Sequence, residues 1–217
     1  MAKVWSIVVA GGAGQRFGQR KQFASLGGRP VLEWAVEACR PYSAGIVLVL
    51  PADEDVEDRH GADAVVAGGA TRSDSVRCGL AAVPADAEVI VVHDAARPLA
   101  SPRLFDAVLA ALRDEGVDGA VPGVPPSDTI KVVDGAGNVT STLDRSTLAA
   151  VQTPQAFRAD ALRRAHRRSG SVATDDAALV EALGGCVRVV PGQPGNLKIT
   201  SPDDLRAAER LLDGAEG

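Results

Sequence analysis

Short apolar runs alternate along the chain with stretches of helical periodicity. Residues 4–10 are apolar and open into a glycine-rich stretch at 11–18, which predicts a buried strand followed by a loop facing a ligand. Residues 30–40 set Val31, Trp34, Ala35 and Ala38 at helical spacing, with Pro30 at the first turn. Residues 45–50 read as a second buried strand, 64–67 as a weaker third, and 73–83 as a helix. A strand over 88–92 leads to His93 and Asp94, and Ser101-Pro102 caps a helix running to Asp114. Alternating strands and helices predict parallel βαβ units with right-handed crossovers.

The pattern changes after that. Two extended segments, 129–133 and 138–142, flank Asp134-Gly135-Ala136-Gly137 and read as a β-hairpin. A lone hairpin is marginally stable and this one holds little apolar surface, so it is expected to pack as an arm on a second subunit. Helices are predicted over 159–168 and 174–183, and strands over 187–190 and 197–200. Ser201, Pro202 and the acidic pair Asp203-Asp204 open a last helix with cap, first-position proline and acidic first turn. The fold class expected is α/β: a single Rossmann-like domain over 1–217, a mostly parallel twisted sheet with a β-arm protruding at about 127–148.

Composition narrows the function. The chain has 217 residues, 46% hydrophobic and 24% charged, so one core is feasible and disorder is excluded as the main state. Aromatics are only 3%, which leaves the core to Ala, Val and Leu. A net charge of -5 removes a general nucleic-acid footprint but not a small cationic pocket. The three cysteines lie far apart with no metal spacing, which fits a reducing cytoplasm. The N-terminal residues lack the apolar h-region and cleavage site of a signal peptide, so none is expected, and no apolar run approaches the roughly 18 residues of a membrane helix. Only four of the 23 basic residues are lysines, namely Lys3, Lys21, Lys131 and Lys198, which draws attention to each.

Four motifs carry candidate chemistry. The loop Ala10-Gly11-Gly12-Ala13-Gly14-Gln15-Arg16-Phe17 follows the first strand. Glycines such as Gly12 and Gly14 let backbone N–H groups approach phosphates, although the same residues suit a plain strand-to-helix turn. A Walker loop is excluded because no GK[ST] ends it, and a dinucleotide fingerprint fails at Phe17. Arg16 then suits a triphosphate, and Lys21 in Lys21-Gln22-Phe23 adds a compact point charge. In Gly68-Gly69-Ala70-Thr71-Arg72-Ser73-Asp74-Ser75-Val76, Gly69 and the Ser75 hydroxyl can meet a base or ribose, while helix capping explains Thr71 or Ser73 equally well. In Val91-Val92-His93-Asp94-Ala95-Ala96-Arg97-Pro98 an acid emerges at the carboxyl end of a buried strand, where ligands sit in open α/β sheets. Asp94 there suits Mg²⁺, Arg97 an anion, and His93 a structural role. Thr129, Arg145, Thr153, Thr174-Asp175 and Lys198 are scattered polar groups that read individually as caps or surface charges.

Taken in order, AGGAGQRFG, KQF, GGATRSDSV, VVHDAARP, SDTIK, LDRSTL, VQTPQAF, TDDA and NLKITSPDDL resemble the 2-C-methyl-D-erythritol 4-phosphate cytidylyltransferase family, over roughly residues 8–205. HDAARP together with TPQAF is the specific part. The resemblance implies CTP as donor, a sugar-alcohol phosphate as acceptor, Mg²⁺ as cofactor, pyrophosphate release and a homodimer joined through the arm. It implies that Arg16 and Lys21 contact the triphosphate and stabilise the transition state, that Gly69 and Ser75 recognise cytidine, that Asp94 holds the metal and that Arg97 sits beside the substrates. Thr129 and Arg145 would reach the acceptor from the partner's arm, with Lys198 also near it.

Two departures stand out. Arg16 and Lys21 lie closer together than is usual in the family, with Arg20 where a proline precedes the lysine, so either Arg20 shares the catalytic charge or the loop is ordered only by CTP. Gly195 occupies a position where many members have Asp. Rival readings are a ribitol 5-phosphate cytidylyltransferase, an NAD-dependent reductase with Asp53 on a ribose, and a CTP-sensing module without turnover.

Overall fold

The computed structural model describes residues 2–12, 17, 20–168 and 175–214. In chain order its elements are β1 (Val4–Val9), β2 (Ser25–Leu26), β3 (Arg29–Pro30), α1 (Val31–Cys39), β4 (Gly45–Leu50), β5 (Ala64–Ala67), α2 (Arg72–Ala82), β6 (Val89–Asp94) and α3 (Pro102–Ala111). They continue with β7 (Gly119–Val124), β8 (Lys131–Val133), β9 (Val139–Thr142), β10 (Ala150–Val151), β11 (Gln155–Arg158), α4 (Ala159–Arg168), α5 (Asp176–Glu181), β12 (Val187–Pro191) and α6 (Pro202–Asp213). Single helical turns sit at Lys21–Phe23, Arg40–Tyr42 and Arg145–Thr147.

The main sheet runs β10-β7-β11-β6-β1-β4-β5, with β12 added beside β7. β1 pairs in parallel with β4 and β6, β4 with β5, and β12 with β7. β11 is antiparallel to both β6 and β7, and β10 is antiparallel to β7. Alternate residues of the central strands feed opposite faces, as the two-residue period of a strand requires. Val8, Ile46, Leu48 and Val91 pack with Leu32 and Val36 of α1 and Phe105 and Val108 of α3. Ile7, Val47, Val49, Ile90 and Val92 pack with Val76 of α2, Leu162 of α4 and Leu179 of α5. Both faces are covered, which explains why β4 reads as an unbroken apolar run and is buried at all six positions. A smaller cluster of Phe17, Leu26, Val31, Ile199 and Ala208 lies under α6.

Three local expectations need correction. Strand β7 is absent from the sequence reading because Gly119, Pro122 and Gly123 interrupt it. Gly119 is glycine because a Cβ there would lie 2.6 Å from the Phe157 ring, and Pro122 keeps a ladder role through its carbonyl, which accepts from Gln152 N at 2.7 Å. The strand expected over 197–200 does not join the sheet; Ile199 N donates to Ala96 O at 2.8 Å and its side chain is buried beneath α6. Ser101 precedes α3 without capping it by its side chain, and its hydroxyl donates instead to Gln193 Oε1 at 2.7 Å. The hairpin forms as expected from β8 and β9, with Asp134 Oδ1 accepting from Ala136 N and Asn138 N in the turn. The last helix has its full capping box, Ser201 with Asp204.

Candidate active site

The carboxyl ends of β1 and β6 open onto a cavity of about 280 Å³. Gly11 and Gly12 form one wall, Gly69 to Arg72 with Ser75 a second, and Asp94 to Ala96 a third; Lys21, Gln22 and Lys198 close it. Motifs up to 187 positions apart in sequence are therefore brought to one place.

Each wall has a local reason to be where it is. Gln22 is 3% exposed and donates from Nε2 to Ala10 O at 2.9 Å and to Gly12 O at 3.1 Å, which pins the start of the glycine loop. Ser75 donates its hydroxyl to Thr71 O at 3.0 Å and accepts from Gly69 N at 3.2 Å. A Cβ on Gly11 or Gly68 would lie 2.9 or 2.8 Å from that same Oγ, so the glycines on both walls are needed for the walls to meet around Ser75. Thr71 and Asp74 make a reciprocal capping box at the start of α2, so capping belongs to Thr71, while Ser73 and Ser75 are buried.

Asp94 is the electrostatic centre. Its Oδ2 accepts from Lys198 Nζ at 2.7 Å and its Oδ1 from Arg72 Nε at 3.3 Å. Burial pushes its pKa up, but Arg72, Lys198 and then Arg97 outweigh burial and hold the carboxyl well below the usual carboxylate range. Its backbone N–H donates to Thr153 Oγ1 at 2.9 Å, and that hydroxyl lies 3.0 Å from His93 Nδ1. His93 Nε2 lies 3.2 Å from Arg97 O, an acceptor only, so the hydrogen is assigned to Nε2 and Nδ1 accepts from Thr153. Burial also pushes the His93 pKa down to about 4, which keeps the ring neutral. His93 is thus the structural histidine expected from the sequence.

The other candidates divide. Lys21 and Lys198 both line the cavity, and Lys21 Nζ donates to Ile199 O at 2.7 Å. Arg97 stands outside the lining; its Nη1 donates to Asn196 O at 2.6 Å, making it a strut for the turn before Lys198. Asn196 is fully buried and donates to Thr153 O at 2.9 Å, tying that turn to the strand-end network. Thr129 and Arg145 are exposed and outside the cavity, with Arg145 Nη1 donating to Ser127 O at 3.0 Å. Arg16, Gly14 and Thr174 lie outside the described residues. Arg20 is ion-paired with Asp53 and Glu54, which neutralise it and remove Asp53 from the role of a ribose acid.

The family model for 2-C-methyl-D-erythritol 4-phosphate cytidylyltransferase matches residues 4–214. The chain belongs to that family. A family member from Nocardia farcinica is 47% identical, with 97% of this chain and 94% of that one aligned. The crystal structure of the Thermus thermophilus member superposes with a TM-score of 0.81 at 36% identity, over 95% of this chain and 98% of that one. A bifunctional IspD/IspF enzyme of Nitratidesulfovibrio vulgaris is 46% identical over 99% of this chain, which spans 58% of that longer protein. The fold class expected from the sequence, a Rossmann-like nucleotidyltransferase, is that of the family's solved members. Two residues at this family site escaped the sequence reading. Arg72 was visible only as part of GGATRSDSV, and Gln22 only as the middle of KQF; their polar type inside motif stretches was the signal available.

Proposed function

We propose that this cavity is where the chain transfers a cytidylyl group from CTP to 2-C-methyl-D-erythritol 4-phosphate, the reaction of its family. The acceptor's phosphate oxygen attacks the α-phosphorus of CTP, a P–O bond forms, the bond to the β-phosphate bridge breaks, and pyrophosphate leaves. Both reactants are anions, so the chain's contribution is positioning and positive charge. The observation that carries the reading is the meeting of the glycine loop, Lys21, Lys198 and the ionised Asp94 around one cavity. Lys21 and Arg16 are assigned to the triphosphate and its developing charge. Backbone groups of Gly12, Gly14 and Gly69, with the wall set by Ser75, are assigned to the nucleotide. Lys198 is assigned to the acceptor, with Arg97 holding the turn behind it.

Asp94 fits a Mg²⁺ carried in with the nucleotide. It is ionised, it faces the cavity, and it offers hard oxygen donors. No group of three or more His, Cys, Asp or Glu side chains among the described residues forms a cage, so triphosphate oxygens and water are left to complete the shell. When bound, the metal neutralises triphosphate charge.

We also infer a homodimer formed through the arm at about 127–148 of a single nucleotidyltransferase domain. Val132, Val133 and Val139 are 41%, 55% and 58% exposed, and Thr129 and Arg145 stand away from their own chain's cavity, which supports delivery of both to a partner's acceptor. None of the helices among the described residues is long and apolar enough to cross a membrane, and the proposed substrates are charged metabolites that do not pass bilayers unaided, which supports a cytoplasmic enzyme. The net charge of -5 supports no nucleic-acid partner.

Pyrophosphate release with each of the four nucleoside triphosphates, against methylerythritol phosphate and ribitol phosphate, tests the reading. Selective release with CTP and methylerythritol phosphate is expected. Preference for ribitol phosphate would overturn the acceptor, and CTP binding without release would leave only a nucleotide sensor.

A further inference from the structure

From Arg72 in the cavity wall a line of charge runs back into the core, and the reaction as described does not use it. Arg72 is the first residue of α2, where a cation opposes the positive end of the helix. Its Nε contacts Asp94 Oδ1 at 3.3 Å while its Nη1 contacts Asp176 Oδ2 at 2.8 Å. Asp176 opens α5 and its side chain is fully buried; its other oxygen meets His166 Nε2, from the last turn of α4, at 2.9 Å. A carboxylate only accepts, so Nε2 of His166 carries the hydrogen. Among the described residues His166 Nδ1 is buried with no hydrogen-bond partner, so there the imidazole's polar contact is directed at Asp176. The pull of both acids outweighs the burial of Arg72 and raises its pKa, so the guanidinium stays charged.

Such an arrangement is costly to bury, and a buried ion pair is weak evidence for stability as such. What sets it apart is its direction. It starts in the core between α4 and α5 and ends on Asp94, the one acid among the described residues of the cavity wall. A planar guanidinium spans two carboxylates from separate nitrogens, which a lysine cannot do.

We propose that Arg72 is a positioning residue for Asp94, and that Asp176 and His166 fix Arg72 in the orientation that aims Asp94 into the cavity. This rests on the reading of that cavity as the active site. Pyrophosphate release from CTP and methylerythritol phosphate, with melting temperature as a control, is measured for the parent, Arg72→Lys, Asp176→Asn, the double variant and Asp94→Asn. Arg72→Lys is expected to keep its fold and lose about 10- to 100-fold in kcat, the range seen for groups that orient a site ligand. The KM for CTP is expected to move less than about threefold. Asp176→Asn is expected to lose about tenfold, and the double variant to be no slower than Arg72→Lys alone, because Asp176 acts through Arg72. Should Asp176→Asn fail to fold, His166→Gln takes its place in the cycle with the same expected non-additivity. Turnover of Arg72→Lys within twofold of the parent, or losses that multiply in the double variant, would overturn the inference alone. Full turnover by Asp94→Asn would overturn the site reading and the inference together.

Discussion

At the carboxyl end of β6, Asp94 is 8% exposed and held by Thr153, Arg72 and Lys198, each from a different element. On the β8–β9 arm every strand residue is exposed, and the exposed Arg145 side chain donates to the nearby Ser127 carbonyl. Both regions carry residues assigned to the acceptor, yet one is fixed by its own chain and the other is not. Preorganised charge belongs where burial strengthens it and partners hold it in place. A group presented on an unsupported hairpin gains a fixed position only when a second surface covers it. On the proposed reading, the nucleotide would be held by groups of one chain, and the acceptor would meet Lys198 of that chain and the arm of a partner.

The strongest way to break this contrast is at Lys21. Lys21→Ala should lower kcat by about 10²-fold, the scale of losing a preorganised donor to developing charge. The melting temperature is measured alongside, since the ammonium also donates to Ile199 O from a partly buried position. Near-parental turnover would remove Lys21 from the chemistry. Arg145→Ala sharpens the other side. The acceptor KM should rise by about tenfold or more, as expected for losing a charge-assisted contact, while the KM for CTP stays within twofold. Equal rises in both constants would mean that the arm does not reach the acceptor. Val139→Asp places a charge on the most exposed apolar residue of the arm. It should weaken the dimer about tenfold by sedimentation, with an unchanged monomer fold.

How much could be read from the sequence follows the same division. Strands β1, β4 and β6 were legible because their centres are buried and their runs are mostly apolar. Strand β7 was not, because its glycines answer to distant neighbours, Gly119 to Phe157 and Gly123 to Val189 and Ala149. Lys21, Asp94 and Lys198 were legible as rare or well-placed charges, and the fold puts all three on one cavity. Arg72 and Asp176 were quoted within motifs but given no role, since their contact crosses 104 positions and no periodicity announces it. The partners of Arg20, a candidate to share the catalytic charge, were illegible for the same reason. Asp53 and Glu54, which neutralise it, come from the loop after β4.

The smallest expected effect concerns Gly195, a departure that looked functional in the sequence. Its backbone is not in the left-handed region, and a Cβ added there meets no atom within 4 Å. It borders a different groove, lined by Trp34, Leu99 and Leu212, and is not among the residues lining the cavity at Asp94. Nothing in the local packing requires glycine, and nothing directs a side chain there toward Asp94 or Lys198. Gly195→Asp should therefore fold with stability within about 0.5 kcal/mol of the parent, as for a surface substitution away from special features. Its acceptor KM should stay within twofold. A tenfold fall in that constant would show that the acceptor site extends past Lys198 to the turn, and that the self-contained half of the site is larger than the cavity at β6.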